Sequence, residues 1–174
     1  MNIIDKQACP LCKKKTLTLT EDEMDVPFFG KTFIFSMNCT TCQYYKADIE
    51  SEQLKDPSRY TFEITKAADM NVRVVKSSEA TIKIPALKMS MEPGPSSEGF
   101  VTNIEGILQR FKKIIEAERD SAEDEDQKKA AKNLLKKLWK VECGDTPVKI
   151  IIEDPTGNSA IISEKAVIEK LKKK

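Results

Sequence analysis

The sequence predicts an α+β protein in which a small four-cysteine ribbon, residues 1–52, precedes a β-rich, sandwich- or barrel-like domain, residues 53–174. Three observations give this prediction. Four cysteines stand in two close pairs near the N-terminus. Several short segments that alternate apolar and polar residues follow them, which is typical of strands. Between about residues 102 and 142 the apolar residues instead recur at helical spacing, which indicates an inserted helical hairpin.

The cysteine pairs, Cys9-Pro-Leu-Cys12 and Cys39-Thr-Thr-Cys42, predict a metal site. Two thiolates separated by two residues can hold one metal ion from the turn of a hairpin, and a second pair completes a tetrahedron. Zn²⁺ favours this arrangement. We therefore expect Cys9, Cys12, Cys39 and Cys42 to bind one structural Zn²⁺. Iron would fit the same four thiolates, and the colour of the purified protein would distinguish the two metals.

The ribbon itself is predicted from the residues between the cysteine pairs. Residues 16–20 and 32–37 are suited to two strands, with an acidic turn at residues 21–23 and a protruding tip at residues 27–30. Lys13 and Gln43 follow the second cysteine of each pair, where such turns usually carry glycine because the backbone adopts a positive φ. We expect both turns to be mildly strained.

The rest of the chain is divided by changes of period. Alternation predicts strands at residues 60–64, 72–75, 80–84 and 87–91, with a loop at residues 92–99. Residues 148–152 are predicted to form a strand because they are a continuous apolar run, and residues 158–162 are expected to form a second short strand after a turn. The first helix is expected to start with a capping box formed by Thr102 and Glu105, and an acidic turn at residues 118–126 to separate it from the second. A basic amphipathic helix is predicted at the C-terminus.

Composition and charge exclude several classes of function. The 29 basic and 28 acidic residues balance, so no overall field marks the chain as a nucleic-acid or membrane binder. No apolar run approaches the roughly 18 residues that a membrane helix needs, and no signal peptide is visible. A cytoplasmic protein is expected, and paired cysteines there are more often metal ligands than disulfides.

An enzymatic function is not expected, and no catalytic residue is predicted. The chain has no histidine and no glycine-rich phosphate-binding loop. Asp154, Asn158 and Ser159 form a polar cluster, but a turn in which Asp and Asn bind their own backbone explains it better. The fifth cysteine, Cys143, ends a helical segment and is expected to act as a small apolar residue.

Several segments together resemble the zinc-finger module of the ZPR family of zinc-finger, receptor-associated proteins. They appear in family order over roughly residues 8 to 162: CPLC at 9–12, VPFF at 26–29, CTTCQY at 39–44, VVKS at 74–77, ATIKIP at 80–85, TNIEG at 102–106 and DPTGNS at 154–159. The resemblance implies a zinc ribbon followed by a β-rich domain that carries a helical hairpin. Eukaryotic members are similar to two such modules in tandem, and a single module resembles the archaeal form.

The resemblance also implies a partner, since family members bind the translation elongation factor 1-alpha GTPase and assist its folding or assembly. On the residues themselves, the candidates for contact are the apolar ribbon tip and the aromatic pair beside the second cysteine turn: Val26, Phe28, Phe29, Tyr44 and Tyr45. These rings could equally cover the ribbon core. A different class of function is RNA or ribosome binding through the ribbon or the lysine-rich second helix.

Overall fold

The structure is a computed structural model that describes residues 1–26, 30–51 and 55–171. The strands, in chain order, are β1 (Asn2–Gln7), β2 (Leu17–Val26), β3 (Gly30–Cys39), β4 (Tyr45–Ser51), β5 (Ser58–Ile64), β6 (Arg73–Lys76), β7 (Thr81–Ile84), β8 (Met89–Met91), β9 (Phe100–Asn103), β10 (Val148–Asp154), β11 (Ala160–Ile162) and β12 (Val167–Lys170). Two helices, α1 (Ile104–Ser121) and α2 (Glu125–Glu142), lie between β9 and β10. The predicted α+β class, with a ribbon, a β-rich domain and an inserted helical hairpin, is confirmed.

The ribbon is an antiparallel sheet with the strand order β1-β2-β3-β4. Its two long strands, β2 and β3, pair from Leu17 opposite Cys39 to Val26 opposite Gly30. The acidic turn expected at residues 21–23 is wrong, because these residues lie inside β2 and their carboxylates are exposed to solvent. Backbone pairing along the full length of β2 and β3 outweighs the low strand propensity of acidic residues.

The β-rich domain contains two antiparallel sheets, with the orders β12-β5-β10-β7-β8 and β11-β6-β9. One buried apolar cluster joins them, since it includes Phe62 and Ile150 from the larger sheet and Val74 and Ile161 from the smaller one. Among the described residues, no strand of one sheet pairs with a strand of the other, so the sandwich form of the prediction holds and the barrel form does not.

The helical hairpin completes this core. Apolar side chains of α1 and α2 join the same buried cluster: Ile104, Ile107, Leu108, Phe111, Ile115, Ala131, Leu138 and Val141. The helix start differs from the expected Thr102 capping box, because Asn103 is the N-cap and its Oδ1 accepts a hydrogen bond from Gly106 N at 2.8 Å. The separating turn is shorter than expected, since both helices extend into the acidic segment.

The predicted C-terminal helix is wrong. Val167–Lys170 form β12, an edge strand that pairs with β5. All four of its side chains are exposed, so the short run of apolar and charged residues carries no burial pattern that would separate a strand from a helix. Backbone pairing with β5 decides the conformation.

The ribbon rests on the β-rich domain through β4. Ile49 is buried in a small cluster with Val75 of β6 and Ala160 of β11. The Asp48 carboxylate accepts a hydrogen bond from Gly99 N at 3.2 Å. A Cβ atom at Gly99 would lie only 2.6 Å from Ile49 Cγ1, so the close approach of the two domains requires glycine at this position.

Candidate metal centre and contact surfaces

The four paired cysteines converge at one end of the ribbon, where Cys9 and Cys39 are fully buried. All four Sγ atoms lie within 4.8 Å of one another. Cys9 Sγ and Cys42 Sγ are 3.7 Å apart, and Cys12 Sγ and Cys39 Sγ are also 3.7 Å apart. A tetrahedron with Zn–S bonds of about 2.3 Å has edges of about 3.8 Å, so these spacings fit one zinc ion. They are far longer than the roughly 2.05 Å of a disulfide.

The two cysteine turns have the same backbone hydrogen bonds. In the first turn, Cys9 N donates to Lys14 O and Lys13 N donates to Cys9 O, each at 2.9 Å. In the second, Cys39 N donates to Tyr44 O and Gln43 N donates to Cys39 O, at 2.8 and 2.9 Å. Lys13 and Gln43 adopt φ values of 61° and 58°, which confirms the expected strain at both positions.

Thr16 is a further residue at this site, which the sequence prediction missed. Its Oγ1 lies 3.3 Å from Cys39 Sγ and 2.8 Å from Thr41 Oγ1. The Thr16 hydroxyl, together with the backbone N–H of Cys42, lowers the pKa of the Cys39 thiol to about 6. Threonine is common at the start of a strand, so this residue type alone does not indicate a role at the metal centre. The one sequence signal that could have pointed to Thr16 is its position four residues after Cys12.

Four thiolates at these distances need a cation among them. The backbone N–H of Tyr44 favours the thiolate of Cys42, but burial and the neighbouring sulfurs outweigh it and raise the pKa of this thiol to about 12. Four sulfurs this close cannot all be ionised without a positive charge between them. A Zn²⁺ ion supplies that charge, and with four protein ligands it leaves no open position for a substrate.

Family models match both domains of the chain. The ZPR1 zinc-finger domain matches residues 4–53, and the ZPR1 jelly-roll domain matches residues 68–174. This chain belongs to the ZPR1 family. The family membership indicated by the ordered segments is therefore confirmed. The β-rich domain is a jelly roll with a helical insertion.

Relatives occur in archaea and eukaryotes. An uncharacterized ZPR1-like protein of Methanocaldococcus jannaschii is 38% identical over 94% of this chain and 83% of its own length. One from Pyrococcus horikoshii is 37% identical over 95% of this chain and 76% of its own length. The zinc finger chaperone of Schizosaccharomyces pombe is 30% identical over 78% of this chain and 30% of its own length.

The residues predicted to contact a partner have different environments in the structure. Tyr44 is half-buried and packs against the cluster around the cysteines, so its ring contributes to the ribbon core. Tyr45 begins β4 and is 59% exposed. Val26 ends β2 opposite Gly30, whereas Phe28 and Phe29 lie outside the described residues.

The polar cluster around Asp154 is a buried structural junction. Asp154 Oδ1 accepts hydrogen bonds from the backbone N–H and the hydroxyl of Thr156, both at 2.7 Å. Its Oδ2 accepts hydrogen bonds from the hydroxyls of Ser77 and Ser159. These bonds tie the end of β10 to Ser77, which follows β6, and to Ser159, which precedes β11. The predicted turn is right for Asp154, which binds the backbone of Thr156, and wrong for Asn158, whose Oδ1 is buried without a hydrogen-bond partner. The expectation for Cys143 was wrong, because this cysteine is exposed.

No helix among the described residues is both long enough and apolar enough to cross a membrane.

Proposed function

We propose that this protein is a non-catalytic, zinc-stabilised binding module that binds translation elongation factor 1-alpha and assists its folding or assembly. The observation that carries the proposal is the membership of the ZPR1 family, in which the relative from Schizosaccharomyces pombe is named a zinc finger chaperone. The closed tetrahedral site supports a structural role for the metal, because four thiolates complete its coordination.

Tyr45 is the best-supported contact residue among the described ones. An exposed tyrosine beside a rigid turn is a good anchor for a protein interface, because its large ring loses little conformational entropy on binding. Tyr45 follows the second cysteine turn directly, and that turn is held because Tyr44 packs inward and its carbonyl accepts a hydrogen bond from Cys39 N. The zinc ion would thus fix the position of the contact surface without touching the partner.

Calorimetry with purified archaeal elongation factor 1-alpha, in its GDP-bound, GTP-bound and nucleotide-free forms, tests this proposal. We expect binding to at least one form and a weaker affinity, by about tenfold or more, for Tyr45→Ala. Ile168→Ala, on the exposed edge strand β12, is the matched control and should bind like the wild type. Absence of binding in every nucleotide state would rule out the proposed partner.

RNA binding through α2 is a second candidate, which one observation favours. Trp139 is 59% exposed on this helix and lies among exposed lysines, including Lys136, Lys137 and Lys140. An aromatic ring within a basic face can stack on an unpaired base.

A salt-dependent titration with single-stranded RNA separates the two candidates. If RNA binds to this face, its affinity should fall steeply as the salt concentration rises, and Trp139→Ala should bind more weakly still. If binding is weak and unaffected by this substitution, the lysines are the solvated face of an ordinary amphipathic helix and α2 is not an RNA-binding surface.

A further inference from the structure

An open cavity of about 390 Å³ lies where the ribbon meets the jelly roll. The ribbon contributes Tyr45 and Ala47 of β4 to its wall, and the jelly roll contributes Lys76, Phe100 and Arg110. Its volume is within the range of small-ligand sites. The cavity therefore exists only while the ribbon is docked, and it adjoins the exposed tyrosine assigned above to partner binding.

Two cations meet around one aromatic ring in this cavity. The Arg110 guanidinium lies 4.0 Å from the centre of the Phe100 ring, and Lys76 Nζ lies 5.6 Å from it. Lys76 is buried, with only 2% of its surface exposed. Its ammonium donates a hydrogen bond to the backbone carbonyl of Ser77 at 2.8 Å. Within the described residues, neither cation has a carboxylate oxygen within ion-pair distance. Burial lowers the pKa of Lys76, and the charge of Arg110 lowers it further.

The acidic groups around the cations are either engaged or too distant to pair with them. Asp154 attracts the Lys76 charge, but both of its oxygens accept hydrogen bonds from Ser77, Ser159 and Thr156. Asp48 Oδ1 accepts hydrogen bonds from the backbone N–H groups of Ile49 and Gly99. Glu79 acts on Lys76 only through its charge, and Glu98 lines the cavity.

These charges select the kind of anion that the cavity can hold. An anion between Lys76 and Arg110 would relieve their repulsion, and the planar guanidinium matches a carboxylate or a phosphate in a two-bond contact. A phosphate monoester carries about 1.5 to 2 negative charges at pH 7. Because Glu98 and the other nearby acids already contribute negative charge, a singly charged carboxylate fits better.

We propose that this cavity is a carboxylate-binding site, which an acidic side chain of the protein partner fills when the complex forms. The Arg110 guanidinium and the Lys76 ammonium hold the carboxylate, and Tyr45 packs beside the incoming segment. The identity of the partner rests on the function proposed above, whereas the affinity of the cavity for a carboxylate does not.

An NMR titration of the ¹⁵N-labelled full chain tests the site without the partner. The probes are N-acetyl-glutamate N-methylamide, its glutamine analogue, and inorganic phosphate. We expect saturable shifts of the Gly99 and Phe100 amide signals with the glutamate probe alone. Arg110→Gln should weaken this binding by about tenfold or more, because it removes a charged hydrogen-bond partner. Arg119→Gln, the same change further along α1, should leave it unchanged.

Several results would overturn the proposal. The glutamine probe could move the same signals, phosphate could bind where glutamate does not, or the two arginine variants could respond alike. Calorimetry with elongation factor 1-alpha then tests the source of the carboxylate, since Arg110→Gln should bind the factor at least about tenfold more weakly than Arg119→Gln does. Equal affinities would exclude an acidic side chain of this factor. If glutamate binds and the factor does not, the carboxylate site stands and the proposed partner fails.

Discussion

At the scale of single residues, the metal centre is held by two short turns that share one local geometry. Two cysteines with two residues between them fix the geometry of each turn, and a positive φ at Lys13 and Gln43 follows from that geometry. Because this signal is local, the sequence was enough to predict the metal ligands. Thr16 was missed because its contact with Cys39 crosses between strands. The carboxylate site was missed for the same reason, since Tyr45, Lys76 and Arg110 are distant in sequence and meet only in the folded chain.

Asp69 should make stability depend on pH in the acid range. The carboxyl is 4% exposed; burial opposes its charge, but hydrogen bonds from Thr65 and the Lys165 ammonium outweigh this and lower its pKa. A lowered pKa in the folded state means that the ionised carboxylate stabilises the fold. This contribution is complete above the ordinary pKa of about 4 and is lost as the pH falls through the lowered value.

Asp69→Asn should therefore reduce the free energy of unfolding by about 1–3 kcal/mol at neutral pH, since its amide cannot accept every hydrogen bond that the carboxylate accepts. Urea denaturation at a series of pH values should show the difference from the wild type shrinking below about pH 4. Asp120→Asn is the control, because its ion pair with Arg119 is exposed and contributes little. A difference that stays constant with pH would contradict the role given to Asp69.

At the scale of elements, the sequence was sufficient where burial imposes a period. The helices and the strands β5 and β7 were predicted because their apolar residues recur on one face, and β10 was predicted from its continuous apolar run. Prediction failed at β1, at the acidic half of β2 and at β12, where exposed strands carry no such pattern. It also missed β4 and β9, which lie outside every predicted strand. These segments are held by backbone pairing with a neighbouring strand, and single-sequence patterns do not report that pairing.

The N-cap of α1 gives a prediction at this scale. Asn103→Ala removes the side chain that accepts a hydrogen bond from Gly106 N, and we expect a loss of about 1 kcal/mol in the free energy of unfolding. Asn133→Ala, at an exposed position inside α2, should be neutral or slightly stabilising because alanine is the better helix former. Chemical denaturation of both variants measures the difference. Equal effects would show that Asn103 does not act as a cap.

At the scale of the whole molecule, two domains with separate cores share a small interface around Ile49. Gly99→Ala tests that interface, since the new Cβ would press on the Ile49 side chain and the Asp48 carboxylate. We expect a loss of about 1–3 kcal/mol in stability and faster proteolysis between the domains. Gly94→Ala, where a Cβ would meet nothing within 4 Å, is the matched control and should behave like the wild type.

The central claim is that one zinc ion is structural and that its effect is confined to the ribbon. The most direct measurement is an amide NMR spectrum of the full chain recorded during removal of zinc by a strong chelator. The account predicts that signals of β1 to β4 collapse to unfolded positions while those of the jelly roll persist, because its apolar core is its own. Cys39→Ser should reproduce this pattern and Cys143→Ser should not. An unchanged ribbon after complete removal of zinc, or loss of the whole spectrum, would contradict the account.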